Sequence, residues 1–332
     1  MDTEKKLQYS EVFIYPQYSE ITSRSQVNVS SQLDEHTSLD TPVISANMDT
    51  VTDGRMALAM WKAGAFGAIH RFMTPGEQLR EYEIVKDGHG KCFVSVGVSG
   101  DAVERAEMLY KAGARYFIID IAHGHSLMMK ETIESIRNIS SDIFIMAGNV
   151  ATRKAVEDLA FWGADAVKIG IGPGAVCTTK NVTGVTVPQF SAVYDCCYTG
   201  KNHSIKTRKG NSLKFVADGG LQEIGDIAKA LGAGADFVMS GRMFAGCSET
   251  PGPRVNGKKV YRGMASRDAM LTIRSEKQLP TPEGISTFIE ENEETAEKVV
   301  AHIQGGLRSA FSYSNARNLD EFKRNVKFGI RG

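Results

Sequence analysis

The residues best suited to chemistry stand in one glycine-rich loop, where a single cysteine is followed by two hydroxyls. Cys177 precedes Thr178 and Thr179, and glycines at positions 170, 172 and 174 come before it. Glycines let a backbone turn tightly and approach a ligand closely, and a thiol presented there is a nucleophile when its pKa is lowered. The other interpretation is a buried structural cysteine, since cysteine is among the most buried residue types.

Composition excludes several classes of protein. The 332 residues carry 39 basic and 39 acidic side chains without a basic block, so nucleic-acid and membrane-surface binding have no electrostatic support. No apolar run approaches the ~20 residues that span a bilayer, and the N-terminus lacks the apolar core of a signal peptide. Five cysteines, an odd number without metal-site spacing, fit a reducing cytosol, and we expect a cytoplasmic protein.

Short apolar runs alternate with helical patterns along the chain. This alternation predicts a parallel sheet, and continuous apolar runs predict strands buried on both faces. Helical patterns occupy residues 102–112, 127–139, 153–162 and 224–231. The eight predicted strands are residues 43–46, 67–70, 93–97, 116–120, 143–147, 166–170, 215–218 and 237–241.

A Gly-Ala pair closes four of the helical segments, at spacings of 49, 50 and 71 residues. The repetition and the count of eight strands favour a (β/α)8 TIM barrel over an open doubly wound sheet. We predict one catalytic domain over residues 1–332. Before the barrel, at about residues 8–40, we predict a segment with a hairpin formed by residues 12–15 and 26–30. After it we predict a flap at about residues 256–290, with a hairpin at 256–262, and an acidic helix at 290–304.

In such a barrel the chemistry belongs at the carboxyl ends of the strands. Asp218, Gly219 and Gly220 follow the seventh strand, and Gly241 and Arg242 follow the eighth. These two loops form the usual phosphate site of the fold, and bare backbone N–H groups with a helix start behind them attract anions. A carboxylate beside them suits a ribose diol. We therefore expect a phosphorylated small molecule as ligand.

Two other groups of polar residues follow predicted strands. Asp120 is either a satisfied carboxylate or a ligand contact, and the sequence leaves both open. His123 and His125 lie two positions apart, too few for a metal site without further partners. We interpret them as polar residues of the rim.

Six segments resemble the motifs of the IMP dehydrogenase/GMP reductase family, in family order over residues 8–330. The longest reads Ile-Gly-Ile-Gly-Pro-Gly-Ala-Val-Cys-Thr-Thr from Ile169. The others are Ile-Ser-Ala-Asn-Met-Asp from Ile44, Ile-Met-Ala-Gly-Asn-Val from Ile145, Val-Ala-Asp-Gly-Gly from Val216, Tyr-Arg-Gly-Met from Tyr261 and Gly-Gly-Leu-Arg-Ser from Gly305. The resemblance implies a (β/α)8 barrel, a purine nucleotide as substrate (GMP or IMP), a nicotinamide cofactor and a homotetramer.

Within the family the sequence is most like the reductase branch. Dehydrogenases usually carry an inserted regulatory (CBS) domain after the second strand–helix unit, which is absent here, and an Arg-Tyr pair in the flap. No tyrosine occurs between Met264 and Glu283. The resemblance implies NADPH-dependent reductive deamination of GMP to IMP and ammonia. The alternatives are a dehydrogenase without the regulatory domain, which oxidises IMP to XMP with NAD, and a purine-nucleotide-binding barrel without catalysis.

The resemblance also implies a role for each site residue. Cys177 attacks purine C2, and Thr179 and Glu283 handle protons as the amine leaves. We assign to the nucleotide Asp218 at the ribose, Gly219, Gly220, Gly241 and Arg242 at the phosphate, and Met264 beside the purine base. Met48 is also assigned to the nucleotide. To the cofactor we assign Asp120, Asn149 and Thr178. A potassium ion is expected on the backbone carbonyls of Gly172, Gly174 and Cys177.

Three positions depart from the reductase pattern. The family's phosphate-binding serine is Ala175 here, and Pro280 stands where reductases have an arginine. His123 is typical of dehydrogenases, where reductases often have asparagine. These departures keep the dehydrogenase and a modified purine nucleotide open as alternatives.

Overall fold

A closed barrel of eight parallel strands forms the centre of the molecule. The computed structural model describes residues 5–197, 205–273, 279–291 and 294–331. Each strand pairs in parallel with the next, and the eighth pairs with the first and closes the ring. In chain order the strands are β1 (Val43–Ser45), β2 (Phe66–Ile69), β3 (Phe93–Val96), β4 (Tyr116–Asp120), β5 (Phe144–Val150), β6 (Ala166–Ile169), β7 (Lys214–Asp218) and β8 (Phe237–Ser240). The predicted TIM barrel is confirmed, with strand ends shifted by one residue or less except at the end of β5.

In the described part of the chain, eight helices surround the barrel, and residues 88–92 connect α2 directly to β3. They are α1 (Gly54–Lys62), α2 (Pro75–Asp87), α3 (Ala102–Ala112), α4 (Leu127–Ile139), α5 (Arg153–Trp162), α6 (Gln189–Cys197), α7 (Ile224–Gly232) and α8 (Ala296–Tyr313). The glycines of the Gly-Ala repeat have φ between 76° and 122°. Residues other than glycine rarely adopt this backbone conformation, which turns the chain from the helix into the next strand.

The amino end of the barrel is filled and covered. Inside it, four aromatic rings pack with neighbouring centroids 5.2–6.1 Å apart, namely Phe66, Phe93, Tyr116 and Phe144. A hairpin of Ser31–Asp34 and Thr37–Leu39 packs against them, and Thr37 Oγ1 lies 2.6 Å from the Tyr116 hydroxyl. Because this end is closed, a ligand has access to the barrel interior from the carboxyl end.

Two predictions about the chain ends are wrong. Val12–Ile14 does not form a hairpin with residues 26–30; it pairs antiparallel with Phe328–Ile330 at the other end of the chain. The predicted helix at 290–304 is also misplaced, since Ser286–Glu290 is a strand and α8 runs from Ala296 to Tyr313. In both cases pairing with a distant segment decides the conformation, which local periodicity does not report.

The flap contains a three-stranded antiparallel sheet, formed by Arg254–Val255, Lys258–Arg262 and Ser286–Glu290. The hairpin predicted at residues 256–262 is confirmed, with Asn256 and Gly257 at its turn. Residues 274–278 of the predicted flap lie outside the described residues. Short helices occur at Tyr9–Glu11, Arg24–Gln26, Thr179–Thr183, Arg267–Met270 and Leu319–Asn325. Over the described ranges, no helix combines the length and the apolar character needed to cross a membrane.

Candidate active site

A cavity of about 470 Å³ opens at the carboxyl end of the barrel and extends under the flap. This volume lies within the range of small-molecule sites. Fourteen of the fifteen residues predicted for the site line it: Met48, Asp120, Asn149, Gly172, Gly174, Cys177, Thr179, Asp218, Gly219, Gly220, Gly241, Arg242, Met264 and Glu283. Residues that are scattered over the chain therefore meet at one site, because the carboxyl ends of all eight strands point to the same rim.

The remaining predicted residue, Thr178, is not part of the cavity wall. Its backbone N–H donates to the carbonyl of Glu283 at 2.9 Å. Its assignment to the cofactor remains a prediction. In the structure its backbone connects the cysteine loop to the flap.

The cysteine loop leaves β6 through a glycine that no other residue can replace. A Cβ on Gly170, which has φ of 148°, would lie 2.1 Å from the carbonyl oxygen of Asp218. The loop then turns so that the Cys177 N–H donates to the Gly174 carbonyl at 3.1 Å. Cys177 Sγ lies 3.2 Å from Thr179 Oγ1, at the start of the helix Thr179–Thr183. The thiol and a hydroxyl are thus presented together to the cavity.

The flap brings Glu283 to this loop by main-chain pairing. Besides the bond from Thr178, Ile285 N–H donates to the Val176 carbonyl at 2.9 Å. On the other side of this segment, the Glu283 N–H donates to the carbonyl of Ala265 at 3.0 Å. The segment 283–285 therefore acts as a short strand between the cysteine loop and the chain after Gly263. This pairing sets the position of the glutamate along the loop, independently of its side chain.

A buried ion pair connects the flap to the barrel. Arg262 Nε lies 3.0 and 3.2 Å from the carboxylate oxygens of Asp49, whose side chain is 7% exposed. The N–H of Asp49 points to the Met264 sulfur at 3.3 Å. Met264, predicted beside the purine base, is therefore held against the loop after β1.

At the predicted phosphate site we expect a helix N-terminus behind each of the two loops, and the structure differs from this expectation. The helix α7 does follow Gly219 and Gly220, but the Asp226 carboxylate already accepts the N–H groups of Gln222 and Glu223 at 3.0 and 3.2 Å. After Gly241 the described chain makes turns and no regular helix. Gly219, Gly220, Gly241 and the exposed Arg242 all line the cavity at this end. Gly241 also lacks room for a side chain, since a Cβ would lie 2.6 Å from the Met48 sulfur.

Sequence reasoning missed Lys168, a buried lysine on β6 that lines the cavity. Its ammonium lies 2.9 Å from Asp120 Oδ1 and 2.6 Å from Asp218 Oδ2. Burial works to raise the pKa of Asp120, but the Lys168 ammonium, together with Arg71 and Asn47, outweighs burial and holds that pKa below the usual value. The available signal was a charged residue inside an otherwise apolar strand.

Sequence reasoning also missed Gln189 at the start of α6, which forms hydrogen bonds to the ends of β6 and β7. Its side-chain amide donates to the carbonyls of Ile169 and Asp218 at 2.9 and 3.1 Å. It therefore fixes the ends of β6 and β7, from which the cysteine loop and the Asp218 loop start.

The two histidines of the rim do not form a metal site. His125 Nε2 lies 2.9 Å from Asp158 Oδ2 on α5. Within the described part of the chain, His, Cys, Asp and Glu side chains do not gather in a group of three that could hold a metal ion.

We expect Cys177 to be the only rapidly reacting thiol of the native protein. It is partly exposed, whereas the other four cysteines are buried. Burial raises the pKa of Cys196 and Cys247 to about 12 and the pKa of Cys92 and Cys197 well above its usual value. Because the thiolate is the reactive form, a thiol-specific reagent at neutral pH should modify Cys177 first, as peptide mass spectrometry can determine.

GMP or IMP should protect Cys177 from the reagent, and unfolding the protein should make all five thiols react alike. Equal reactivity of the five cysteines in the native protein, unaffected by nucleotide, would contradict a catalytic cysteine.

Comparisons with known proteins agree with this geometry. Over 343 aligned positions the chain is 35% identical to GMP reductase 1 of Mus musculus, covering 99% of this chain and 96% of the mouse protein. It is 33% identical over 390 positions to the inosine-5'-monophosphate dehydrogenase of Borreliella burgdorferi, covering 98% and 94%. A crystal structure of a cysteine-to-alanine variant of Trypanosoma brucei GMP reductase with guanosine 5'-monophosphate superposes with a TM-score of 0.89. It is 28% identical and covers 100% of this chain and 96% of the other.

Fold and site together define a (β/α)8 barrel that presents a cysteine, a hydroxyl and a carboxylate to a nucleotide-sized cavity. The profile of the IMP dehydrogenase / GMP reductase domain matches residues 6–331. The chain belongs to the IMP dehydrogenase/GMP reductase family, whose members are oxidoreductases that use a nicotinamide cofactor.

Proposed function

We propose that this protein is a GMP reductase, which converts GMP and NADPH to IMP, ammonia and NADP. The observation that carries the proposal is the assembly of Cys177, Thr179 and Glu283 on one cavity wall, with the thiol 3.2 Å from the threonine hydroxyl. A flap that contains no tyrosine between Met264 and Glu283 supports the same branch of the family.

The three side chains have complementary tasks. Cys177 attacks C2 of the purine as a thiolate, and a carbon–sulfur bond forms. The exocyclic amine then leaves as ammonia, and Glu283 supplies the proton that it needs. The Thr179 hydroxyl, 3.2 Å from the thiol, takes part in this proton transfer. A bound nicotinamide cofactor supplies the hydride for C2. The carbon–sulfur bond breaks when the thiolate leaves, and IMP is released.

The cavity lining combines apolar and polar side chains, as a nicotinamide ring with its carboxamide requires. Phe72, Ile121 and Ala122 provide apolar surface, and Asp120 and Asn149 provide polar groups. We propose that Asp120 and Asn149 orient the carboxamide end of the ring. The preference for NADPH over NADH is part of the proposal.

A potassium ion on the cysteine loop is a further part of the proposal. Gly172 has φ of 82°, and the bond from Cys177 N–H to the Gly174 carbonyl tightens the turn. Backbone carbonyls are ligands that hard cations accept. The homotetrameric state and the cytoplasmic location also remain predictions.

The test is the near-ultraviolet absorbance of the reduced cofactor in two parallel reactions. One contains GMP and NADPH, and the other contains IMP, NAD and potassium. We expect absorbance to fall in the first and to stay constant in the second. A rise only in the second would make the protein a dehydrogenase, as its relatives of that name at similar identity allow. No change in either would point to a modified nucleotide or to a barrel without catalysis.

A further inference from the structure

Lys168 occupies an unusual place for a lysine, inside the barrel. Side chains of a strand alternate between its two faces. On β6, Ala166 packs in the barrel interior, whereas Val167 and Ile169 pack toward the helices. Lys168 is therefore on the inner face, one layer above Ala166, and its side chain is only 3% exposed. Asp120 and Asp218 reach the same layer from β4 and β7.

The ammonium of Lys168 has a partner for each of its three protons. It contacts Asp218 Oδ2 at 2.6 Å, Asp120 Oδ1 at 2.9 Å and Asn149 Oδ1. An ammonium has three donors and no acceptor. Lys168 therefore has no donor left for a ligand, and its effect on the site must pass through these three partners.

Burial opposes the charge on Lys168, but the two carboxylates outweigh burial and raise its pKa above the usual value. Lys168 is therefore charged at neutral pH. The lysine neutralises one of two negative charges that lie close to each other. Without it the two carboxylates would repel each other, and their side chains would turn apart.

Among the described residues, the hydrogen bonds to the Asp218 carboxylate all go to one of its two oxygens. Oδ2 accepts from Lys168 and, at 2.9 Å, from the Asn149 amide, which also donates to the Gly170 carbonyl at 2.7 Å. Among the described residues, no hydrogen bond goes to Oδ1 of Asp218. The carboxylate is therefore held with one oxygen in the barrel and the other available to a ligand in the cavity.

We propose that Lys168 is a positioning residue, which holds Asp218 so that its Oδ1 accepts from the ribose hydroxyls and holds Asp120 in place beside the nicotinamide. This role rests on the proposed function for its ligands. In this role Lys168 contributes to the recognition of the ribose, although it contacts neither the nucleotide nor the cofactor.

The test compares the binding of GMP with that of 2′,3′-dideoxy-GMP by calorimetry, without turnover. The wild-type protein should prefer GMP, and Asp218→Asn should show how much of this preference depends on the carboxylate. In Lys168→Met we expect the preference to fall by about tenfold, toward the Asp218→Asn value, because the acceptor is no longer oriented. Lys168→Arg should retain most of it, since a guanidinium supplies the same charge. Lys154→Met, at an exposed surface lysine, is the matched control.

Equal weakening of both nucleotides in Lys168→Met, with the preference unchanged, would show a merely structural lysine and overturn the proposal. If that variant does not fold, Lys168→Met with Asp120→Asn removes the surplus negative charge and should show the same loss of preference. If turnover identifies a dehydrogenase, the same comparison is made with IMP and 2′,3′-dideoxy-IMP. Binding of none of these nucleotides by the wild-type protein would instead reject the proposed function, and this role with it.

Discussion

Cys177→Ala should lower kcat by about 10⁴-fold or more, the largest effect that we expect from one substitution. No other described cysteine lines the cavity. Alanine removes the atom that bonds to purine C2, so the covalent route is closed. GMP should still bind, because Asp218 and the glycines of the adjoining loops are unchanged. Cofactor absorbance measures turnover, and calorimetry measures binding.

Cys196→Ala is the matched control, since this cysteine is buried in α6 away from the cavity. It should keep nearly full activity even if the protein becomes less stable. A Cys177→Ala variant with more than about a tenth of wild-type kcat would mean that the thiol is not the nucleophile.

Glu283→Gln should lower kcat by about 10²- to 10⁴-fold, the range of general acid–base catalysis. Glutamine keeps the size of the side chain and the main-chain bonds to Thr178 and Ala265, so the flap should stay paired to the cysteine loop. What it removes is the proton for the departing amine. We therefore expect a loss in kcat with little change in the KM for GMP.

The matched control is Glu290→Gln, on the exposed outer strand of the same flap, where the glutamate pairs with Lys258. It should leave kcat unchanged. If Glu283→Gln instead raised KM and left kcat intact, Glu283 would bind the base without transferring a proton.

Much of the fold could be predicted because it depends on local sequence patterns. The barrel strands are largely apolar runs, buried on both faces, and α3, α4 and α5 begin and end where their periodicity does. The Gly-Ala repeat was visible for a local reason as well, since positive φ at positions such as Gly113 requires glycine.

The two wrong predictions of secondary structure have a non-local cause. Val12–Ile14 has strand character, but its partner Phe328–Ile330 lies at the far end of the chain. The predicted acidic helix failed because Ser286–Glu290 pairs with Lys258–Arg262 in the flap sheet. Strand pairing depends on which segments meet, and a pattern within one segment does not contain that information.

The same division applies to the site. The sequence by itself determined the cysteine loop, with the glycines that its turns require, and the polar residues that end each strand. Only the tertiary structure decided that Glu283 pairs with that loop and that Lys168 lies between Asp120 and Asp218. The physical reason is that a loop's conformation depends on its own backbone, whereas these contacts exist only after the barrel closes and the flap pairs in one register.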